Sequence, residues 1–324
     1  MEDTAKTSAL LQEAGGATKQ VEPMDIVVLA GGPSSERDVS LASGKAVHEA
    51  LGKIGHRVVI DDISPDNLAA LDRQADFVFI ALHGEFGEDG TLQAELDRRG
   101  IRYSGSGSRA SALAMDKVKA KNRFAASGLP TPASFVANRE NFRQVTDRMQ
   151  APAVVKPVSA GSSVDTTIVR DAASLAADTE AVVSKYGEAL VETFIEGPEL
   201  TCAILGDEPL PVCQIRPARE FYDYEAKYLV DDTSYIFEPA LPASLLEEVQ
   251  RLAVSAHTCL GCEVFSRVDV MIDSSHRPYL LEVNTIPGFT GHSLVPKAAA
   301  RVGTDFEALC QRIVELSLHK HSQA

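Results

Sequence analysis

Two apolar strands, each running straight into a glycine-rich turn, constrain this chain most. "DIVVLA" (25–30) and "DFVFIAL" (76–82) are apolar after their first residue, the pattern of strands buried on both faces. Between them lie a helix-forming stretch, "SLASGKAVHEALGKIG" (40–55), a further strand, "RVVIDDI" (57–63), and a short helix, "DNLAALDRQ" (66–74). Strand–helix alternation predicts a parallel sheet, because parallel neighbours need a long crossover between them. Such a sheet takes its ligands outside the carboxyl ends of its strands. Both buried strands end there in suitable residues. Gly31, Gly32 and two serines follow the first, and His83 opens "HGEFGEDG" after the second.

The second half changes character. "KVKAKNRFAASG" (117–128) predicts a basic amphipathic helix, stopped by Gly128 and "LPTP". Beyond Ala151 the strands "AVVKPV", "DTTIVR", "ALVETFI", "ELTCAIL" and "LPVCQIR" read mostly as hairpins. "FYDYEAKYLVDDTSYIFEPA" is too polar and aromatic for a simple strand. An amphipathic helix over 242–262 carries Cys259 and Cys262 as small core residues, since no second pair or nearby His completes a zinc set. A last helix spans 304–318. The fold class is α/β with an α+β second half.

At 324 residues the chain has room for two or three domains. Its 44% hydrophobic and 24% charged content is that of a soluble globular protein. A net charge of -15 argues against a general nucleic-acid binder. No apolar run approaches a membrane span, and residues 1–24 lack the basic start and apolar core of a signal peptide. They read as a mobile, mildly acidic tail. Five cysteines make no disulfide framework, which fits a reducing cytoplasm.

The chemistry gathers near the end of the chain. "FSRVDVMID" (265–273) and "YLLEVN" (279–284) read as a hairpin across "SSHR". With the loop centred on Ser275 and His276, Asp269 faces Glu282 and Arg267 faces Asn284. Opposed carboxylates repel in a bare sheet, unless a cation lies between them. Hard oxygen donors suit Mg²⁺, which completes its shell with phosphate oxygens and water. A solvated hairpin face is the plain alternative, and a loop shifted by one residue would separate the carboxylates. Elsewhere, Glu36 sits at a helix start, where it suits a ligand ammonium and the helix dipole equally. His83 is open to a structural as well as a functional reading. "VVKPVSAGSSVD" joins Lys156 to a Gly/Ser loop fit for a polyphosphate, without the Gly-Lys-Ser/Thr ending of a P-loop. "GSGSRA" (105–110) lacks the context and the ribose acid of a dinucleotide fingerprint.

Taken in order, "GGPSSERDVSL", "ALHGEFGEDGTLQ", "GSGSRASALAMDKVKAK", "FYDYEAKY" and "EVNTIPGFTGHSLVP" resemble the D-alanine–D-alanine ligases of the ATP-grasp fold, from about Asp25 to Leu318. The resemblance implies a Rossmann-like domain over 25–116, a central ATP-grasp domain over 117–199 and a C-terminal one over 200–324. It implies ATP as substrate, held by Lys117, Lys156 and Lys227 at its phosphates, Glu192 at the adenine amine, Glu199 at the ribose and Phe221 on the adenine. Two Mg²⁺ ions, replaceable by Mn²⁺, would be held by Asp269, Glu282 and Asn284. Glu36 would meet the ammonium of the first D-alanine, with Ser162 and Tyr228 closing the site. Arg267 and the Gly288 amide would form an oxyanion hole, Ser293 would hold the second carboxylate, and His83 falls in the first-substrate region. A cytoplasmic homodimer is also implied.

Four departures stand out, the first being Ala160 at the usual glutamate of the lid. Asp165 replaces a glycine of the lid over 159–165, which predicts added negative charge and lost freedom beside the phosphates. Gly291 replaces a common serine, and "EVFSR" replaces a run containing glycine and tryptophan. Tyr228 is the residue expected for dipeptide formation, where ester-forming relatives carry phenylalanine. The rival readings are a ligase for another pair, such as D-Ala with D-Ser, and a catalytically silent nucleotide-binding homologue.

Overall fold

The computed structural model describes residues 22–158, 164–217 and 233–323. Its first sheet is parallel, with β2 (Arg57–Asp62), β1 (Asp25–Ala30) and β3 (Phe77–Ile80) in the order β2-β1-β3. Ile26, Val28, Phe77 and Phe79 pack on one side, and Val27, Leu29, Val78 and Ile80 on the other. Burial on both faces therefore follows the unbroken apolar runs. The crossover helix spans Arg37–Lys53, three residues earlier than its apolar pattern predicts. A turn at Ser34 starts it: the Arg37 amide donates to the Ser34 carbonyl and the Glu36 amide to the Ser34 hydroxyl. The stretch 66–74 forms only a 3₁₀ turn, Ala69–Asp72.

An antiparallel sheet follows, β4 (Ser134–Asn138), β5 (Ala153–Pro157), β6 (Thr167–Val169) and β7 (Glu188–Thr193), in the order β4-β7-β5-β6. Helices Phe142–Arg148 and Ala172–Tyr186 cover one face through Val145, Leu175, Val182 and Val183. In this sheet β5 and β6 form a hairpin as predicted, whereas β7 returns beside β5 after a helix. The third sheet holds β8 (Glu199–Leu205), β9 (Glu208–Pro209), β10 (Cys213–Arg216), β11 (Ser234–Ile236), β12 (Phe265–Ile272) and β13 (Pro278–Asn284). Its order is β11-β10-β8-β12-β13, with β9 on β8. Helix Ala243–Leu260 packs Val249, Leu252, Ala253 and Ala256 on Val268, Val270 and Leu280. All five cysteines are free thiols; Cys262 lies buried just past that helix and Cys259 is half-buried.

One residue ties the first and third sheets together. Phe289 is 1% exposed, with ring centroids of Phe79, Phe265 and Phe306 at 6.0, 5.7 and 5.4 Å. Its amide donates to the Ser43 hydroxyl of the crossover helix at 3.1 Å. An aromatic buried in this way fixes the backbone of the turn that carries it, and that turn lies against the mouth of the parallel sheet.

Candidate active site

The β12–β13 hairpin carries the expected pairs, by a route the sequence did not reveal. Next to the turn, Ile272 pairs with Pro278, Met271 with Tyr279 and Val270 with Leu280, which centres the loop on Ser275 alone. Continued unchanged, that register would set Asp269 against Leu281 and turn Glu282 away. A bulge between Asp269 and Val270 skips Leu281, so Asp269 faces Glu282 and Arg267 faces Asn284. The predicted register next to the turn was one residue off, and the bulge restores the predicted faces.

Asp269 is 4% exposed and its carboxylate accepts four hydrogen bonds. Oδ1 takes the Arg267 Nε–H at 3.0 Å and the Thr201 hydroxyl at 2.7 Å. Oδ2 takes the second Arg267 nitrogen at 2.8 Å and the Asn284 amide at 3.1 Å. Across the hairpin, Glu282 stands 3.6 Å from the Lys117 ammonium. Each opposed carboxylate thus has its own cation, which removes the repulsion a bare pair would suffer. Two carboxylates and an amide oxygen are too few donors for a closed cation site, and no group of three or more His, Cys, Asp or Glu among the described residues is arranged to hold a metal ion. The set fits Mg²⁺ that arrives with a polyphosphate and takes part of its shell from it.

A cavity of about 460 Å³ opens on this face. It brings together Glu36, His83, Lys117, Arg267, Glu282, Asn284, Gly288 and Ser293. Glu36 is buried on the wall formed by the parallel sheet. Gly84, in the left-handed region at φ +69°, leaves room for it: a Cβ there would stand 3.0 Å from Glu36 Oε2. His83 is locked as one tautomer. Its Nδ1–H donates to the Ile286 carbonyl at 2.9 Å, so Nε2 accepts from the Ser43 hydroxyl at 3.0 Å. Burial lowers its pKa and keeps it neutral. With both ring nitrogens engaged, His83 serves the cavity by placing Ile286 and, through Ser43, Phe289. At the far side, Ser293 stands at the N-terminal cap position of helix Leu294–Arg301, with its hydroxyl turned back to accept the Thr290 amide at 3.0 Å. Gly288 faces it, and a Cβ there would sit 3.4 Å from the Ser293 hydroxyl. That helix start and the Ser293 hydroxyl suit an anion.

Glu88 also lines the cavity, and the sequence reading passed over it. It accepts the Gly84 amide and the Ile286 amide, both at 3.0 Å, and so clasps the glycine turn to β13's extension. Burial, with the nearby Glu36 charge, raises its pKa to about 7. The one available signal was three acidic residues within "GEFGEDG".

A second cluster lies on the central sheet. Lys156 on β5 stands 2.5 Å from Glu192 Oε1, and Lys121 of helix Lys117–Ala126 stands 3.0 Å from Oε2. Burial pushes the Glu192 carboxyl up, but the two ammonium groups outweigh it and its pKa is lowered. Burial lowers the pKa of Lys121. Two buried cations against one anion leave a net positive charge, which a dry site tolerates poorly without a further anion. The Lys117 amide donates to the Val158 carbonyl at 3.4 Å, so Lys117 stands just past the end of β5. Glu199 begins β8, flanked by Met271 and Ile215. Lys156, Glu192 and Glu199 do not line the cavity; Ser162, Phe221, Lys227 and Tyr228 lie outside the described residues.

Two departures read differently in three dimensions. The Asp165 carboxylate is held by the Lys185 ammonium and the Tyr186 hydroxyl, so its charge is met locally. Its φ of +50° keeps the left-handed backbone a glycine would supply, which aspartate tolerates. The expected effect of Asp165 on lid closure and ATP affinity turns on residues 159–163, which lie outside the described residues. Gly291 is exposed, with nothing within 4 Å of an added Cβ, and does not line the cavity.

Comparison with known proteins agrees with this geometry. Residues 61–106 match the family model "D-ala D-ala ligase N-terminus" and residues 127–315 match "D-ala D-ala ligase C-terminus". A D-alanine–D-alanine ligase of Gloeobacter violaceus is 45% identical over 303 residues, 91% of this chain and 100% of that relative. The crystal structure of the Bacillus anthracis enzyme superposes with a TM-score of 0.84 at 38% identity, covering 93% of this chain and 99% of that one. Its ATP complex gives 0.80 at 35% identity, with the same coverage. A D-Ala:D-Ser ligase from Enterococcus faecalis gives 0.81 at 30% identity, covering 91% of this chain and 100% of that one.

Proposed function

The chain belongs to the D-alanine–D-alanine ligase family, and from that membership and the geometry of its cavity we propose that it is an ATP-grasp ligase joining two D-alanines for peptidoglycan synthesis. A carboxylate and an ammonium do not condense in water. ATP therefore transfers its γ-phosphoryl to the first D-alanine carboxylate, giving D-alanyl phosphate and ADP. The amine of the second D-alanine then attacks the carbonyl carbon. A C–N bond forms, the C–O bond to phosphate breaks, and a proton leaves the nitrogen.

Each residue has a physical task in this scheme. Glu36 holds the first ammonium, with Ser162 and Tyr228 closing over it. Arg267, aimed by its two-pronged contact with Asp269, and the Gly288 amide stabilise the oxyanion. Ser293 and the helix start beside it hold the second carboxylate. His83 and Glu88 fix the turns around the first substrate. Lys117, Lys156 and Lys227 bind phosphates, Glu192 accepts from the adenine amine, Glu199 from the ribose hydroxyls, and Phe221 packs on the base. Two Mg²⁺, or Mn²⁺ in their place, held by Asp269, Glu282 and Asn284, would offset charge on the phosphates. The domain division at 25–116, 117–199 and 200–324 goes with this reading, supported by one sheet in each part. So does a cytoplasmic homodimer. No helix among the described residues is long and apolar enough to cross a membrane, and sedimentation tests the dimer.

The observation that carries the proposal is the meeting of Glu36, Arg267 and the Glu282–Asn284 strand on one cavity. It is tested by phosphate release with Mg-ATP and D-alanine, with product identified by mass spectrometry. D-alanine-dependent release with D-alanyl-D-alanine supports it. Release only with a second amino acid such as D-serine moves the specificity. Silence from folded, ATP-binding protein overturns it.

A further inference from the structure

Lys117 and Lys121 lie one helical turn apart and share a face of helix Lys117–Ala126. Lys117 reaches Glu282 on the catalytic hairpin, as described above. Lys121 points the other way functionally, into the nucleotide side, and no role follows for it from the reaction. It is 4% exposed, an unusual place for a lysine. Its ammonium contacts Glu192 Oε2 at 3.0 Å and donates to the Thr131 hydroxyl at 2.7 Å. Thr131 in turn donates to the Leu280 carbonyl of β13 at 2.9 Å, and the Leu280 amide donates to Pro130 at 2.9 Å. A continuous polar chain therefore runs from Lys156 and Glu192 on the central sheet to the strand that bears Glu282 and Asn284.

The contact to Glu192 has a telling geometry. Lys156 donates to Oε1, and Lys121 meets Oε2 at 3.0 Å. Lys121 therefore keeps Glu192 charged and in place while taking one of the two lone pairs of Oε2, which leaves the other to accept. An exocyclic amine, which donates, satisfies that oxygen; a carbonyl, which only accepts, meets a carboxylate and is repelled.

We propose that Lys121 is a positioning residue for nucleotide selection: it holds the Glu192 carboxylate, from the β13 side, as an acceptor that admits a 6-amino purine and rejects a 6-oxo purine. This rests on the placement of Glu192 at the adenine amine. Lys121 acts through Glu192 and touches no reacting atom.

The test compares ATP with inosine triphosphate in steady-state dipeptide synthesis by the full-length chain. Lys121→Met is expected to raise the ATP KM about tenfold, the scale of one charge-assisted contact. The D-alanine KM should stay unchanged, and the ATP-over-ITP ratio of kcat/KM should fall by a similar factor. Lys121→Arg, which keeps the charge, should recover part of both. Thr131→Val, which removes one anchor and keeps the lysine, should shift the ratio the same way by a smaller factor, and carries the test if Lys121→Met does not fold. Glu192→Gln separates the two ideas, since its amide donates to a 6-oxo group. If Glu192→Gln leaves the ATP-over-ITP ratio unchanged, the adenine placement of Glu192 fails. If Glu192→Gln collapses the ratio while Lys121→Met and Thr131→Val do not move it, the role given to Lys121 is overturned.

Discussion

Replacing Arg267 with methionine separates the two tasks its guanidinium performs. Two of its nitrogens are spent on Asp269, at 3.0 and 2.8 Å, which pins the fork while its outer face lines the cavity. Methionine fills a similar stem but offers no donor. The lost oxyanion contact is worth about 3–4 kcal/mol of barrier, so kcat should fall roughly 10²–10³-fold. Asp269, nearly buried, keeps its bonds from Thr201 and Asn284. Losing the charged pair should cost about 1.5–3 kcal/mol of stability, read by urea unfolding. Lysine brings charge but a single point of contact, and cannot replace the two-pronged fork. Arg267→Lys should therefore stay at least about tenfold below wild type in kcat. Steady-state kinetics decide the matter. A methionine variant retaining more than a tenth of wild-type kcat, or one whose loss lies wholly in the ATP KM, would refute the oxyanion role.

Further predictions concern neighbouring groups. Glu282→Gln removes the carboxylate that faces Asp269 and meets Lys117; kcat should fall at least about 10²-fold, with a higher Mg²⁺ requirement, in a magnesium titration. Glu88 has a native pKa of about 7 against 4.5 for the free side chain, so the native state holds that proton more tightly than the unfolded chain. The stability this confers is full below about pH 4.5 and is lost as pH rises through 7. Wild type should lose about 2–3 kcal/mol more than Glu88→Gln between pH 5 and 8 in urea unfolding; a pH-independent difference would contradict the assignment. Asp165→Gly, with its charge already met by Lys185 and Tyr186, should change the ATP KM by less than about threefold. A tenfold fall would place that charge against the phosphates.

Much of the fold was written in local pattern. Unbroken apolar runs announced β1 and β3, and alternation in "FSRVDVMID" and "YLLEVN" put the acidic residues on one face. What local pattern could not carry was long-range partnering. The bulge at Asp269 left no glycine or proline behind, so the predicted pairing of Asp269 with Glu282 held while the register next to the turn and the bulge that offsets it were invisible. Lys121 looks like one more surface lysine of a basic helix until Glu192, 71 positions on, and Thr131 close over it. Glu88 becomes a clasp only through the Ile286 amide, which is 198 residues away. The partners of Asp165 were hidden for the same reason, because Lys185 and Tyr186 come from the end of helix Ala172–Tyr186. Ser162, Phe221, Lys227 and Tyr228 rest on the resemblance alone.

The most direct test of the account follows oxygen. D-alanine labelled with ¹⁸O in its carboxylate is turned over with unlabelled Mg-ATP, and the released phosphate is examined by mass spectrometry. Activation as D-alanyl phosphate puts one carboxylate oxygen into each phosphate, so the account predicts one ¹⁸O per phosphate released and one retained in the peptide bond. Dipeptide formed with unlabelled phosphate would mean that the carboxylate is never phosphorylated, and would contradict the mechanism at its centre.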